Sequence, residues 1–167
     1  DETGSMCGKV LGDLGAEVVI VEPPGGHPAR ALGPFYKDEV HPEKSLFWFA
    51  FNTSKKGVTL DITKPSGQQI LHELVKQSDM VIESCAPGYL DALGIGYESL
   101  ATLKPDLVFT SITPFGQKGP RRHWKGTDLT LQARSGFQYL LGDPDRAPVR
   151  ISIPMTATKA GVEAASA

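Results

Sequence analysis

The sequence predicts an α/β protein with an open, mainly parallel, doubly wound sheet, and two observations carry that expectation. Short β-branched apolar runs recur along the chain, namely Val18-Val19-Ile20-Val21, Val58-Thr59-Leu60-Asp61, Met80-Val81-Ile82 and Leu107-Val108-Phe109, each bounded by Gly, Pro, Asp or Lys. Continuous runs of this kind, without polar alternation, are how strands covered on both faces read. Segments of helical periodicity alternate with them, and strand–helix–strand alternation builds parallel sheets through right-handed crossovers.

Each element follows in order. Residues 6–14 predict a helix with Val10, Leu11 and Leu14 on one face, leading into the first strand. Residues 22–45 predict a long loop, because Pro23, Pro24, Gly25, Gly26, Pro28, Gly33, Pro34 and Pro42 interrupt any regular element. Loops of that length inside compact domains are usually functional. After the second strand, residues 65–76 predict a helix with Pro65 at its start and Ile70, Leu71, Leu74 and Val75 on one face. A shorter helix over residues 97–104 precedes the fourth strand, and a helical pattern returns over 128–141 before the turn at Gly142-Asp143-Pro144-Asp145. An α/β sheet normally opens with a strand ahead of its first helix, so a strand is expected upstream of residue 6. The start at Asp1 without Met and the end at Ala167 in mid-pattern both read as cut ends of a longer chain.

Composition bounds the function. With 167 residues, a formal net charge of −2, 40% hydrophobic and 22% charged residues, the chain has the balance of an ordinary soluble globular domain. Disordered, membrane and globally basic nucleic-acid-binding classes are thereby excluded. The longest apolar runs, 18–21 and 46–51, fall far short of the roughly 18 residues that span a bilayer. Two cysteines, Cys7 and Cys85, make no disulfide framework, which predicts a reducing, cytoplasmic home. His27, His41, His72 and His123 fall at no metal-ligand spacing, so no metal is expected. Gly94-Ile95-Gly96 lacks the third glycine of a dinucleotide fingerprint and joins no strand to a helix start, which leaves an NAD-type oxidoreductase domain as a distant alternative.

Positive charge is locally concentrated. Lys118, Arg121, Arg122 and Lys125 fall within residues 117–126 without one acid, and Lys55, Lys56 and Lys64 cluster around the second strand. In an open α/β sheet ligands bind at the carboxyl ends of the strands, where cations and helix N-termini suit phosphates. A solvated cationic face is the competing explanation.

An ordered series of motifs says more. Leu14-Gly15-Ala16-Glu17-Val18 runs into Val21-Glu22-Pro23-Pro24-Gly25-Gly26 and Arg30, followed by Asn52 and Lys55-Lys56-Gly57-Val58-Thr59-Leu60-Asp61. Pro87-Gly88, Leu93-Gly94-Ile95-Gly96-Tyr97-Glu98, Leu103-Lys104-Pro105-Asp106-Leu107-Val108, Phe115-Gly116-Gln117-Lys118-Gly119-Pro120 and Gly126-Thr127-Asp128 come next. In order and spacing this series resembles the class III CoA-transferase family, also called CaiB/BaiF, over nearly the whole chain.

The resemblance implies a Rossmann-like open sheet with flanking helices, a fragment of a larger fold whose two copies interlock as a dimer. Residues 1–142 would be the N-terminal part of the large domain, without its first strand. Residues 143–167 would be a turn, a strand and the truncated start of the helix that follows the nucleophile position. Family members move CoA between carboxylic acids: an Asp carboxylate attacks the acyl-CoA thioester, giving a mixed anhydride and free CoA thiolate, and an acceptor acid is then activated in the reverse sense. That Asp is expected three residues after Pro154 and four before Gly161, where this chain has Ala157. No Asp or Glu lies between Asp145 and Glu163, and a methyl group cannot replace a carboxylate nucleophile. The family's racemase branch would place a His before Asp128 as acid/base, where this chain has Thr127.

Coenzyme A, as substrate or acyl-CoA, is the ligand the resemblance implies. By position its contacts would be Arg30 and Lys55 or Lys56 near the phosphates, Leu60 and Thr63 near the adenine, and Lys125 near the charged end. Ser84 belongs to the same set, in a segment Glu83-Ser84-Cys85-Ala86-Pro87-Gly88 that departs from the family's usual Glu-Asn-Phe-Arg-Pro-Gly; the Arg common before Leu-Gly is Ala92. Three functions follow as expectations: a CoA-transferase subunit completed by an Asp-bearing homologous partner in a homodimer or heteromer, a CoA-thioester-binding or scaffolding subunit without turnover, and, distantly, the NAD-type domain.

Overall fold

A computed structural model describes residues 2–167; Asp1 lies outside them. The elements run α1 (Glu2–Asp13), β1 (Val18–Glu22), α2 (Leu46–Asn52), β2 (Lys55–Thr59), α3 (Pro65–Lys76), β3 (Met80–Glu83), α4 (Tyr89–Ala92), α5 (Tyr97–Leu103), β4 (Val108–Ser111), α6 (Asp128–Arg134) and α7 (Thr156–Ser166). The chain is a mixed α/β structure with parallel strands and flanking helices, as the alternation predicts.

The strands form two hydrogen-bonded pairs rather than one continuous sheet among the described residues. β1 runs parallel to β2, with Val18 opposite Lys55 and Glu22 opposite Thr59, and β3 runs parallel to β4, with Met80 opposite Val108 and Glu83 opposite Ser111. Helix α1 packs against both pairs.

Several boundaries move, each for a packing reason. Helix α1 begins at Glu2 rather than Met6, because its buried residues are the small Thr3, Ser5, Cys7 and Gly8, which carry no apolar periodicity; Leu14 is 82% exposed. β2 starts at Lys55, not Val58: register with β1 decides the pairing, and Leu60 extends it by donating its N–H to the Glu22 carbonyl at 2.9 Å. β4 begins at Val108, one residue after the expectation, because the Leu107 N–H closes a turn onto Lys104. The helix expected over 128–141 stops at Arg134, since Gly136 takes φ 79°, a left-handed conformation that ends a helix, and a 3₁₀ turn (Phe137–Leu140) follows. No strand forms within residues 143–155. There the Ile151 N–H donates to the Gln132 side chain rather than to a neighbouring strand.

Helix α3 holds its predicted bounds. Val75 is buried and joins Leu100 and Leu107, with Leu71, Val81 and Phe109 packed on them, in a core between α3, α5 and the second strand pair, while Ile70 is exposed. Gly67 lets α3 start hard against the end of β2, since a Cβ there would fall 2.1 Å from the Asp61 carbonyl oxygen.

The long loop after β1 is ordered by side chains. His27 caps a 3₁₀ turn (Pro28–Ala31) by accepting from the Ala29 N–H at 3.1 Å. Ser45, buried at the N-cap of α2, donates to the Leu32 carbonyl at 2.5 Å and accepts from the Trp48 N–H at 3.0 Å.

Candidate active site

The carboxyl end of the β1–β2 pair is organised around Arg30. Its guanidinium donates to Glu22 through Nε at 2.7 Å and Nη2 at 2.8 Å, and to Glu43 through Nη1 at 3.0 Å. It also lies 4.1 Å from the centre of the Trp48 ring, the stacked, bidentate geometry only an arginine supplies. Glu22 additionally accepts from the His27 N–H at 3.0 Å. Hydrogen bonding to Arg30 holds the Glu22 carboxyl below its ordinary pKa against the opposing effect of burial.

Leu60 and Thr63 lie at this same end. Leu60 is buried, and Thr63 is exposed, donating its hydroxyl (2.5 Å) and N–H (3.1 Å) to Asp61 Oδ1. Lys55 and Lys56 enter β2 at the opposite end, four and three residues from Thr59 and therefore about 13 and about 10 Å away along the strand. They face opposite ways. Lys56 reaches outward to an exposed ion pair with Glu17 at 2.7 Å. Lys55 turns inward, and its ammonium donates to the Ser5 carbonyl (2.6 Å), the Phe51 carbonyl (2.8 Å) and Asn52 Oδ1 (2.8 Å). Burial, reinforced by the Lys9 charge, pulls its pKa down to about 8.

Ser84 follows β3, half-buried beneath α1, where a Cβ on Gly4 would lie 3.1 Å from its Oγ. The loop beyond β4 folds back onto this end through Gln117, which donates to Glu83 at 2.9 Å and accepts from the Gly88 N–H at 3.3 Å. Lys118, Arg121, Arg122 and Lys125 are exposed on that loop. Trp124 packs edge-on against Phe115, and the Arg121 guanidinium lies over the Trp124 ring, 5.2 Å from its centre. Among the described residues no three His, Cys, Asp or Glu side chains converge as metal ligands.

Around Ala157, the position the family resemblance marks for the nucleophile, a second place gathers residues that spacing along the chain does not connect. A cavity of about 760 Å³ opens between α2, α6, α7 and the segment after β4. Phe47, Phe51, Phe115 and Phe137 form an apolar part of its wall, and Thr113, Asp128, Thr156 and Ala157 are among the other residues that line it. Thr113 Oγ1 is buried with no hydrogen-bond partner among the described residues. Ala157 is in the first turn of α7. The aromatic signal existed in the sequence, since Phe47 and Phe51 are one helical turn apart, and their rings meet at 4.8 Å.

Asp128 lines this cavity together with the carboxylates of Glu2 and Glu163. Burial pushes its pKa up, but hydrogen bonds from Thr156, Met155 and Gln132 outweigh that and leave it below the ordinary value. Helix α7 is seated from the other side by Gly161, whose missing Cβ would fall 2.6 Å from the Thr3 carbonyl oxygen and 2.7 Å from Met6 Cβ.

This α/β scaffold, with loops at its strand ends, a cationic loop and an aromatic cavity, has close counterparts. The chain belongs to CoA-transferase family III, whose match spans residues 3–167. It is 40% identical over 149 residues to the succinyl-CoA:(R)-benzylsuccinate CoA-transferase subunit BbsE of Thauera aromatica, covering 89% of this chain and 36% of that protein. It is 41% identical over 152 residues to the succinyl-CoA–D-citramalate CoA-transferase of Chloroflexus aurantiacus, covering 90% and 37%. A crystal structure of a CaiB/BaiF family protein from Brucella suis superposes with a TM-score of 0.88 at 34% identity, covering 98% of this chain and 43% of that one. The chain thus spans well under half the length of the relatives it matches. No helix among the described residues is long and apolar enough to cross a membrane.

Proposed function

We propose that the protein handles acyl-CoA thioesters in the transfer of CoA between carboxylic acids, as one subunit of an assembly whose nucleophilic carboxylate comes from a homologous chain. The observation that carries this is Ala157: a methyl group stands on the cavity wall, in the first turn of α7, at the position where the family resemblance expects the attacking Asp. Without a carboxylate there, no mixed anhydride forms on this chain. A similar protein bearing the word subunit in its name supports a heteromeric arrangement.

In this proposal the nucleotide end of CoA lies over Arg30, Leu60 and Thr63, with Lys56, Ser84 and Lys125 as further contacts and the acyl group directed at the cavity. Lys55 serves differently, because all three of its ammonium donors are engaged within the fold. The soluble, cytoplasmic setting expected from the two unpaired cysteines belongs to the same proposal.

The test is to co-express the complete polypeptide with a homologous Asp-bearing subunit, incubate with succinyl-CoA, and trap with hydroxylamine. A hydroxamate on the Asp-bearing subunit alone is expected. A second reading, a CoA-thioester-binding or scaffolding subunit without turnover, is favoured by the same Ala157. It predicts heat on titration with CoA and no hydroxamate on either chain. No heat at millimolar CoA overturns both.

A further inference from the structure

Helix α7 begins without a cap of its own. Its N-cap residue is Met155, whose side chain accepts no hydrogen bond, so the first N–H groups of the helix need an acceptor from elsewhere. Asp128, 27 and 28 residues earlier, provides it. Its Oδ1 accepts from the Met155 N–H at 2.9 Å, the Thr156 N–H at 3.0 Å and the Thr156 hydroxyl at 2.8 Å. Its Oδ2 accepts from Gln132 Nε2 at 2.6 Å and faces Arg150 Nε at 3.8 Å. Gln132 is buried and accepts from the Ile151 N–H at 3.2 Å, so the segment entering α7 is tied to α6 at two points. Asp128 is itself held on the first turn of α6, where Thr127 and Thr130 form a capping box.

We propose that Asp128 is a positioning residue: by capping α7 across the cavity, it sets where residue 157, the next residue along, stands on the cavity wall. Gly161 fixes the helix one turn further on by close contact with α1. Between these two attachments residue 157 has one place to stand. The meaning of that place for acyl transfer rests on the function proposed above; the capping itself does not.

Two variants of the complete polypeptide separate the possibilities. Asp128→Asn keeps the Oδ1 acceptor and loses the charge, the bond from Gln132 and the pairing with Arg150, whereas Asp128→Ala removes the cap as well. Amide hydrogen exchange at Met155 and Thr156 is expected to quicken about tenfold in Asp128→Ala and about threefold at most in Asp128→Asn, with exchange in β3 unchanged. Unchanged exchange at Thr156, equal acceleration by both variants, or uniform acceleration through β3 would each overturn the proposal. A second arm places the variants in an Ala157→Asp background with succinyl-CoA. Acyl-enzyme formation is expected to fall about tenfold or more in Asp128→Ala, to recover largely in Asp128→Asn, and to leave CoA affinity unchanged. A parallel loss of CoA affinity argues against positioning. If Ala157→Asp with Asp128 intact forms no acyl-enzyme, the catalytic assignment of position 157 fails, and the exchange measurements still decide the role of Asp128.

Discussion

Arg30 and Glu22 form a two-pronged pair, Nε to Oε2 at 2.7 Å and Nη2 to Oε1 at 2.8 Å, that ties the long loop to the carboxyl end of β1. Replacing Arg30 with Met strands a buried carboxylate and is expected to destabilise by about 3 kcal/mol, measured by urea unfolding. The same pair makes stability pH-dependent. The folded-state pKa of Glu22 lies below its ordinary 4.5, so its contribution is present above that value and is lost as pH falls through the lower folded pKa. The stability difference between the unsubstituted protein and Glu22→Gln should therefore be largest at neutral pH and shrink in acid. A constant difference down to pH 3 would show that the charge on Glu22 contributes nothing.

Lys55 titrates in the opposite sense. Folding lowers its pKa from 10.5 to about 8, so between these values the unfolded chain holds a proton that the folded chain has released. Stability linked to this group therefore rises with pH across that window. Lys55→Met removes the linkage and leaves the Ser5 and Phe51 carbonyls without their donor. Unfolding curves at pH 7 and pH 10 should show the gap between Lys55→Met and the unsubstituted protein widening at the higher pH.

Gly161 admits no side chain. A methyl group there meets the Thr3 oxygen at 2.6 Å and the Cys7 nitrogen at 3.0 Å, both backbone atoms of α1 that cannot swing away. Gly161→Ala is expected to cost at least about 1–3 kcal/mol and to lower the melting temperature, while Ala160→Gly, on the exposed side, costs about 1 kcal/mol through helix propensity alone.

The phenylalanine wall predicts a split between CoA and its acyl esters. Phe51→Ala enlarges the cavity that Phe47 and Phe51 border. Calorimetry should find the affinity for an acyl-CoA reduced about tenfold and the affinity for free CoA unchanged, because the truncation removes apolar contact only from the acyl end. Equal loss for both ligands would place the nucleotide, not the acyl group, against α2.

Much of this was readable along the chain because it is local. Helix α3 was exact, since Pro65 and the spacing of Leu71 and Val75 act within a dozen residues. The start of α1 was missed because small residues such as Thr3 and Gly8 acquire their meaning only from the neighbour they let approach. Glu22 stands in the motif series, but its pairing with Arg30 is not written there. Its partner Arg30 lies across a loop whose course is decided by Ser45 and His27 rather than by periodicity.

The sequence by itself determined the α/β class, the family and the alanine at position 157, because apolar period, turn residues and ordered motifs are properties of neighbours in the chain. Tertiary structure decided that Lys55 and Lys56 face opposite ways, which follows from strand pleat and register, and that Lys55 is consumed by carbonyls of α1 and α2. It also decided that Asp128 caps a helix starting 28 residues later. Both depend on hydrogen-bond geometry between distant segments, where a displacement of an ångström makes or breaks the contact, and no spacing along a chain records that.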